Sequence, residues 1–325
     1  MSCITITKLV KLIKNFINKI KGHSILVAIS GGQDSIFLIN LLAHLNYEHR
    51  IKLSYIYVDH QWKKNSNIQI EHLINYLTIK KKNIIVYQIN QVIQSEHECR
   101  KQRYQIINQH AVRYKYQIII TGHNSTDKVE TFFQNISRKA GVEGISSLVV
   151  NNHINNNIFL LRPLLNLNKE NIYKLCKKLN LPIWSDSTNY IYSLNRNRIR
   201  YELVPYLRNF FNTKIEENLI YSITNHYYEN EYIKQNATKV YLANKHKLKI
   251  AINYRNLSRQ HIILQIKAIQ IFYLNNLQIK LKYEIVKKII HSYRNILSRT
   301  IIIFEDKNYL HILNKQWLYI ETNNK

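Results

Sequence analysis

The segment Ser30–Ser35, which reads SGGQDS, has the residue types that bind phosphate groups. Adjacent glycines let the backbone approach a ligand closely, and free amides at a helix start point at an anion. Asp34 would repel a bare phosphate, so its presence indicates a shared Mg²⁺ or an orienting role. The plainer interpretation is a glycine turn with Asp34 as a helix cap, but two of the chain's six glycines stand here together. We expect the whole segment to surround the phosphates: Ser30, Gly31, Gly32, Gln33, Asp34 and Ser35.

Two carboxylates, Asp127 and Glu130, stand three residues apart in a stretch with helical spacing. Side chains at this spacing lie on one face of a helix, so the pair can hold an ammonium group or accept a proton. The alternative is a pair of acids near a helix start that complement the helix dipole. The sequence leaves both interpretations open.

Two groups of arginines are candidates for binding an anion. Arg100 and Arg103 share a helical face and suit a phosphate clamp, although a solvated basic face gives the same pattern. Arg196, Arg198 and Arg200 alternate with other residues, which suits contacts to an RNA backbone or ordinary surface charge.

Four apolar runs, separated by helical patterns, predict the strands that position these residues. They cover residues 24–30, 53–58, 84–89 and 118–121. This alternation predicts a Rossmann-like parallel sheet with helices on both faces, and ligands bind at the carboxyl ends of such strands. The loops after the first, second and fourth strands therefore carry the chemistry, and they include Asp59, His60 and His123. His123 either orients a nucleotide or caps its strand.

After about residue 213 the pattern changes to long helices, followed by paired strands near residues 300–304 and 309–313. We predict a catalytic α/β domain over residues 1–212. A smaller, basic, mainly helical domain with a terminal β-hairpin is predicted over residues 213–325.

The charge of the chain is far from balanced, since 47 Lys+Arg against 20 Asp+Glu give a formal net charge of +27. A field of this size attracts polyanions, of which nucleic acid is the usual one. The chain is also crowded with residues of AT-rich codons, which offers a competing origin for the lysines in genome composition. We favour a functional basic surface because of the size of the excess.

Three cysteines, Cys3, Cys99 and Cys176, lie far apart, which argues against a CxxC metal or redox pair and fits a reducing compartment. No apolar run approaches the roughly 18–20 residues that cross a bilayer, so no membrane span is expected. The first 22 residues follow an amphipathic helical pattern that also occurs in transit peptides. Because a strand begins at once near Ser24, we predict a structural helix.

Several segments together resemble the tRNA(Ile)-lysidine synthetases, a family of the PP-loop ATP pyrophosphatases. Ser30–Ser35 is similar to the SGGxDS loop of that superfamily. The family's other motifs are similar to Val58-Asp59-His60 with Asn65-Ser66, Ser95-Glu96 with Arg100 and Arg103-Tyr104, Thr121-Gly122-His123 with Asp127, Glu130 and Thr131, Arg162-Pro163-Leu164-Leu165, and Asp186 and Asn189 with Arg196–Arg200. The resemblance covers about residues 24–208 and is weak beyond them.

The resemblance implies an enzyme that joins L-lysine to the wobble cytidine of tRNA(Ile), with ATP as substrate and Mg²⁺ as cofactor. The C2 oxygen of cytosine would first be adenylated, and the lysine amine would then displace AMP. It implies catalytic roles for Asp34, Arg100, Asp127 and Glu130, with Mg²⁺ at Asp34 or Asp127. It implies substrate contacts at Asp59, His60, Arg103, His123, Arg196, Arg198 and Arg200. No obligate protein partner and no membrane are expected.

Three alternatives stay open for the function. A tRNA thiolase would normally need paired cysteines, and a glutamine-fed amidotransferase would need a glutaminase region, which the sequence does not encode. A non-catalytic RNA-binding relative would differ by forming no AMP. The AT-rich codon usage favours the plastid stroma as the location, with bacterial cytoplasm second.

Overall fold

The structure is a computed structural model of the 325-residue chain. It describes residues 2–21, 23–45, 51–61, 66–89, 96–155, 157–183, 195–294, 300–305 and 309–323. The chain divides into two compact units, Met1–Ile223 and Thr224–Lys325. The domain limits at 212 and 213 stay a prediction.

The first unit alternates strands and helices. Its strands are β1 (Ser24–Ile29), β2 (Lys52–Asp59), β3 (Ile84–Gln88), β4 (Ile118–Thr121), β5 (Asn151–Asn155) and β6 (Ile158–Leu161). Its helices are α1 (Ser2–Ile20), α2 (Gln33–Ala43), α3 (Ser66–Ile79), α4 (Glu96–Arg113), α5 (Ser125–Ser137), α6 (Val142–Ile145), α7 (Lys169–Lys178), α8 (Asn195–Arg198) and α9 (Val204–Phe210), with a 3₁₀ turn at Pro163–Asn166 and a π-helical turn at Ile199–Leu203. The division between the units falls inside the long helix α10 (Ile215–Asn244).

The six strands form one sheet in the order β3-β2-β1-β4-β6-β5. β1 pairs in parallel with β2 on one side and with β4 on the other, while β5 is antiparallel to β6. The chain thus leaves β1 in one direction and returns on its other side, and such a switch opens a crevice at the carboxyl ends of the two central strands. Ala28 lies opposite Thr121, so the loops that follow β1 and β4 leave the sheet at nearly the same level.

Helices cover both faces of this sheet. Ile25, Val27 and Ile29 belong to a core cluster shared with α1, α2, α3 and α7, whereas Leu26 belongs to a cluster shared with α4. Successive side chains of a strand point to opposite faces, so a nearly continuous apolar strand supplies both cores. The predicted Rossmann-like fold is confirmed.

The predicted first helix is part of this core. Leu9, Ile13 and Ile17 are spaced by four residues and are 6%, 0% and 4% exposed, as expected for one apolar face of a helix.

The second unit packs helices on an antiparallel sheet. Its strands β7 (Ala251–Asn253), β8 (Ile301–Glu305), β9 (Tyr309–Asn314) and β10 (Trp317–Thr322) lie in the order β7-β10-β9-β8. Its helices are α11 (Tyr254–Leu257), α12 (Ile262–Leu277) and α13 (Tyr283–Arg294). The predicted paired strands are β8 and β9, which are confirmed. β10 and the three-residue β7 extend the hairpin to a sheet, and β7 is too short to show a strand period in the sequence.

No helix in the described part of the chain is long and apolar enough to cross a membrane.

Candidate active site

The Ser30–Ser35 loop joins β1 to α2 at the sheet crevice. The backbone N–H of Ser30 donates to Ser35 Oγ at 2.8 Å, and the two hydroxyl oxygens are 3.1 Å apart. Gly31 has a φ of 77°, a conformation that L side chains rarely adopt. A Cβ there would also lie 3.0 Å from Gln69 Nε2, the atom that donates to the Ser30 carbonyl. Gln69 on α3 therefore fixes the shape of the loop, although nothing in the sequence singled it out.

Asp34 lies at the first turn of α2 and faces the loop after β4. Its Oδ2 accepts a hydrogen bond from Asn124 Nδ2 at 3.0 Å, and its Oδ1 accepts one from Gln33 Nε2 at 3.3 Å. Burial, followed by the charge of Asp127, raises the pKa of Asp34 from 3.8 to about 6, while Lys169 acts in the opposite direction. A cation bound beside this carboxylate would stabilise its ionised form.

Asp127 is the third residue of α5 and completes a capping box with the N-cap residue Asn124. Its backbone N–H donates to Asn124 Oδ1 at 3.0 Å, and its Oδ2 accepts from the Asn124 backbone N–H at 2.9 Å. The simpler interpretation, an acid at a helix start, is thus part of what Asp127 does. The sequence analysis missed Asn124, although an Asn three residues before an Asp at a helix start is a pattern that would have found it.

Asp127 and Glu130 also hold two arginines, and we call these four side chains the acid–arginine cluster. Glu130 is fully buried and accepts from Arg196 Nε at 2.5 Å and from Arg200 Nε at 2.6 Å. Arg196 Nη2 donates to Asp127 Oδ1. Burial alone would raise the pKa of Asp127, but Arg196 and further groups lower it below its usual value. Asp127 is therefore ionised, and both carboxylates are paired with arginines.

The acid–arginine cluster contains two of the three arginines that were predicted to bind RNA. Arg196 and Arg200 face the acidic pair rather than solvent, whereas Arg198 is exposed and pairs with Glu202 at 3.0 Å. RNA contact by these arginines stays a prediction, and Arg198 is the one whose exposure suits it. Arg198 also lines a groove of about 730 Å³ with Phe133, Leu203 and Tyr206.

His123 follows β4 and is held in one tautomer. Its Nε2 is 3.4 Å from Arg100 Nη2, and its Nδ1 is 2.9 Å from Thr121 Oγ1. Because an arginine only donates, Nε2 must accept and Nδ1 must carry the proton. Burial is the main reason that the pKa of His123 falls to about 3, with Arg100 and Arg162 contributing, so the ring is neutral at physiological pH. Whether it orients a nucleotide or caps the strand stays a prediction.

The second loop brings Asp59 and His60 to the same edge of the sheet. Asp59 is buried and its Oδ1 accepts from the Gln61 backbone N–H at 2.9 Å. Burial, followed by Arg103, lowers the pKa of His60. The matches at Asn65, Ser95, Asp186 and Asn189 lie outside the described residues.

Lys169, at the start of α7, is a charged neighbour of the site that the sequence did not reveal. Its carbonyl accepts from Gln33 Nε2 at 3.0 Å, and Thr126 Oγ1 accepts from its backbone N–H at 3.2 Å. Burial and Arg200 lower the pKa of its ammonium group, while Asp34, Glu130 and Asp127 raise it. The structure thus brings a cation to the acidic side of the crevice.

No group of three or more His, Cys, Asp or Glu side chains in the described ranges is arranged to hold a metal ion. A Mg²⁺ here would therefore take most of its oxygen ligands from the nucleotide phosphates and water, as Mg²⁺ commonly does. The buried carboxylate of Asp34, with its raised pKa, fits such a shared ion.

Comparison with known proteins identifies the family of the chain. A model of the PP-loop domain matches residues 5–207. The chloroplastic tRNA(Ile)-lysidine synthase of Gracilaria tenuistipitata var. liui is 43% identical over 317 residues, which cover 97% of this chain and 98% of that protein. The chain belongs to the tRNA(Ile)-lysidine synthase family. The resemblance noted in the sequence is confirmed.

Two further similarities extend the comparison. The tRNA(Ile)-lysidine synthase of Nostoc sp. is 37% identical over 192 residues, which cover 59% of this chain and 56% of that protein. A U34-tRNA thiolase of Methanococcus maripaludis, solved with its [4Fe-4S] cluster, superposes with a TM-score of 0.53 over 62% of this chain and 70% of that one. At 14% identity this second likeness concerns the fold alone.

Proposed function

We propose that this chain is the ATP-dependent ligase that joins L-lysine to C2 of the wobble cytidine of tRNA(Ile) with a CAU anticodon. ATP is converted to AMP and pyrophosphate, and an adenylated tRNA is the intermediate. The observation that carries the proposal is the Ser30–Ser35 loop at the β1–α2 junction, in a chain of the lysidine synthase family.

In the first step the C2 oxygen of cytosine attacks the α-phosphorus of ATP, and pyrophosphate leaves. The loop amides and the hydroxyls of Ser30 and Ser35 donate to the pyrophosphate oxygens, on which negative charge develops. A Mg²⁺ held by the phosphates and by Asp34 would neutralise part of that charge. Gly31 and Gln69 hold the loop in shape before ATP binds. Asn124 holds the carboxylate of Asp34, the ion-binding group, in position.

In the second step the ε-amine of lysine attacks C2, AMP leaves, and the amine loses a proton. We assign Asp127 and Glu130 to the lysine site, with one condition that the structure adds. Because both acids already hold arginines, an incoming ammonium group has to exchange with a guanidinium. Arg196 is the better candidate for exchange, since its side chain is 23% exposed against 14% for Arg200.

The formal charge of +27 supports tRNA as the polyanionic partner. Exposed lysines of α13 in the second unit, Lys287 and Lys288, are proposed contacts for its backbone. Plastid stroma is the proposed location, with bacterial cytoplasm as the second possibility, because the similar lysidine synthases are chloroplastic and cyanobacterial.

The described cysteines argue against thiolation. Cys99 packs in the core layer beneath α4, and Cys176 packs in the layer of α1 and α2, so the sheet separates them. Two thiols on opposite faces of a sheet cannot form a disulfide with each other or bind one metal cluster.

The deciding experiment incubates the full chain with ATP, labelled lysine and a tRNA(Ile) transcript, followed by nucleoside analysis. We expect labelled lysidine in this tRNA and none when the wobble cytidine is replaced by uridine. Asp34→Ala and Ser35→Ala should abolish pyrophosphate release, whereas Glu71→Ala, the same kind of change at an exposed carboxylate of α3, should retain it. If the wild-type protein forms AMP but the tRNA carries no labelled lysine, the group that is activated or the group that attacks it differs from the one proposed.

A further inference from the structure

Four side chains near the ends of β4 and β6 form a cationic cluster. Arg100 and Tyr104 come from α4, His123 follows β4, and Arg162 follows β6. The Arg100 guanidinium lies 5.9 Å from the Tyr104 ring centroid, and the Tyr104 and His123 rings are stacked at 6.4 Å. These contacts fix the positions of the Arg100 guanidinium and the Tyr104 hydroxyl in the cationic cluster.

Arg162 supplies a second cation that is only 7% exposed. Its Nη1 donates to the Val149 carbonyl at 2.9 Å, and its guanidinium also hydrogen-bonds the Tyr104 hydroxyl. Its Nε is buried and has no hydrogen-bond partner. A buried charged group with an unmet donor is costly, so the protein itself leaves part of the Arg162 charge uncompensated.

The cationic cluster has an excess of positive charge. Burial lowers the pKa of Arg162, and Arg100 lowers it further, because two guanidinium groups repel each other. His123 is neutral, so it does not offset either positive charge. The carboxylate that acts on His123 is Asp127, which is already paired with Arg196. An anion beside Arg100 would offset the positive charge of both arginines.

We propose that Arg100 and Tyr104, with Arg162 behind them, form a second phosphate subsite, separate from the Ser30–Ser35 loop. It takes a phosphodiester of the tRNA strand next to the target cytidine, and this occupant rests on the proposed function. Arg100 donates to the phosphate directly. Arg162 is a positioning residue: it donates to the Tyr104 oxygen. The Tyr104 hydroxyl lies 3.5 Å from His123 Nε2, which is too long for a strong hydrogen bond, so its proton turns to the phosphate when one binds.

The layers of the fold favour RNA over ATP as the source of this phosphate. The loop leads into α2, which packs on the same core as α1 and α7, whereas Arg100 and Tyr104 belong to α4 on the opposite face of the sheet. The pyrophosphate of ATP occupies the loop on the first side. A phosphate on the second side would flank the crevice across the end of β4, as the backbone of a bound nucleotide can.

The test uses an anticodon stem-loop with the cytidine and measures binding, which needs no turnover. Arg100→Met should weaken binding of this RNA about tenfold and reduce the salt slope of log K by about 0.7–0.9, the loss of one phosphate contact. The affinity for ATP, measured by calorimetry, should change less than about twofold. Lys101→Gln, which removes an exposed cation from the next position of α4, is the control and should leave the affinity near that of the wild type.

A second experiment identifies the phosphate. Stem-loops that carry a neutral methylphosphonate at one phosphate flanking the cytidine should bind the wild type more weakly. Arg100→Met should then add no further loss at the correct phosphate, since both changes remove the same contact. Additive losses at both flanking phosphates would overturn the RNA assignment. A loss of ATP affinity with unchanged RNA binding would assign the subsite to ATP.

Two variants separate positioning from folding. Tyr104→Phe removes one hydroxyl and keeps the ring stacking, and it should weaken RNA binding less than Arg100→Met. Its melting temperature should fall by only about 2–4 °C, because Arg162 loses one acceptor and keeps the Val149 carbonyl. Arg162→Lys keeps the charge but loses the planar hydrogen-bonding group, so we expect weaker RNA binding with a nearly unchanged salt slope. If both variants bind RNA like the wild type, Arg162 is structural and the proposed subsite is wrong. A protein that binds as expected but makes no lysidine would contradict the proposed function and leave the subsite standing.

Discussion

Glu130→Gln removes one negative charge from the acid–arginine cluster while keeping the length of the side chain. Glu130 is fully buried, and each of its oxygens accepts from a different arginine, Arg196 at 2.5 Å and Arg200 at 2.6 Å. A glutamine has only one acceptor oxygen and turns an NH₂ donor toward the other guanidinium. Arg196 keeps Asp127 as a partner, so Arg200 is the arginine that loses its short ion pair in a buried place.

The size of the effect follows from the burial of the pair. Leaving one buried charge without its partner typically costs about 3–5 kcal/mol of the free energy of unfolding. We expect the lower end, because the side chains of Arg196 and Arg200 are 23% and 14% exposed and can turn toward water. For a unit of about 220 residues, 3 kcal/mol corresponds to a melting temperature about 6–12 °C lower.

Thermal melts of the full chain, followed by circular dichroism, measure this difference. Glu202→Gln is the matched control, since its partner Arg198 and Glu202 itself are 60% and 49% exposed and such pairs contribute about 1 kcal/mol or less. In the Glu130→Gln background, Arg200→Met should cost little more, because its partner is already gone. Equal melting temperatures for Glu130→Gln and Glu202→Gln would refute the reasoning.

The same variant reports on catalysis at a temperature where it is folded. If Glu130 belongs to the lysine site, transfer of lysine should fall more than pyrophosphate release, and adenylated tRNA should accumulate. Single-turnover assays that follow pyrophosphate and lysine incorporation separately distinguish the two steps. An unchanged lysine requirement would limit Glu130 to holding the arginines.

Three further predictions concern the loop and the basic surface. Because the pKa of Asp34 is raised from 3.8 to about 6, the folded protein retains a proton that the unfolded chain loses. The free energy of unfolding should fall by about 3 kcal/mol as pH rises from about 4 to beyond 6 in metal-free buffer, and denaturant titrations of Asp34→Asn should lack this decrease. Gly31→Ala should cost about 1–3 kcal/mol in the same titrations because of its positive φ, whereas Gly32→Ala, with open space at its Cβ, should cost clearly less. Changing Lys287 and Lys288 together to glutamine should lower the salt slope of tRNA binding by about 1.8 if both contact phosphates, with ATP affinity unchanged, and an unaltered slope would place the tRNA elsewhere.

Local interactions made much of the fold and the loop predictable. The strand–turn–helix at Ser30–Ser35 is closed by hydrogen bonds between residues five apart, and the cap at Asn124 and Asp127 spans three. Apolar runs that alternate with helical patterns likewise depend on near neighbours in the chain, so they predicted a sheet with helices on both faces. Where an element is as short as β7, no period can show, and it was missed.

The sequence by itself determined which residues have the chemistry for phosphate, carboxylate and RNA contacts, and where the loop lies. Only the tertiary structure decided their partners. Gln69 meets Ser30 across 39 positions, and Arg196 meets Glu130 across 66. An arginine that will be buried against an acid has the same local pattern as one on the surface, because its pairing depends on which strand ends the sheet brings together. That long-range packing separates Arg196 and Arg200, which hold the acidic pair, from Arg198, which faces solvent.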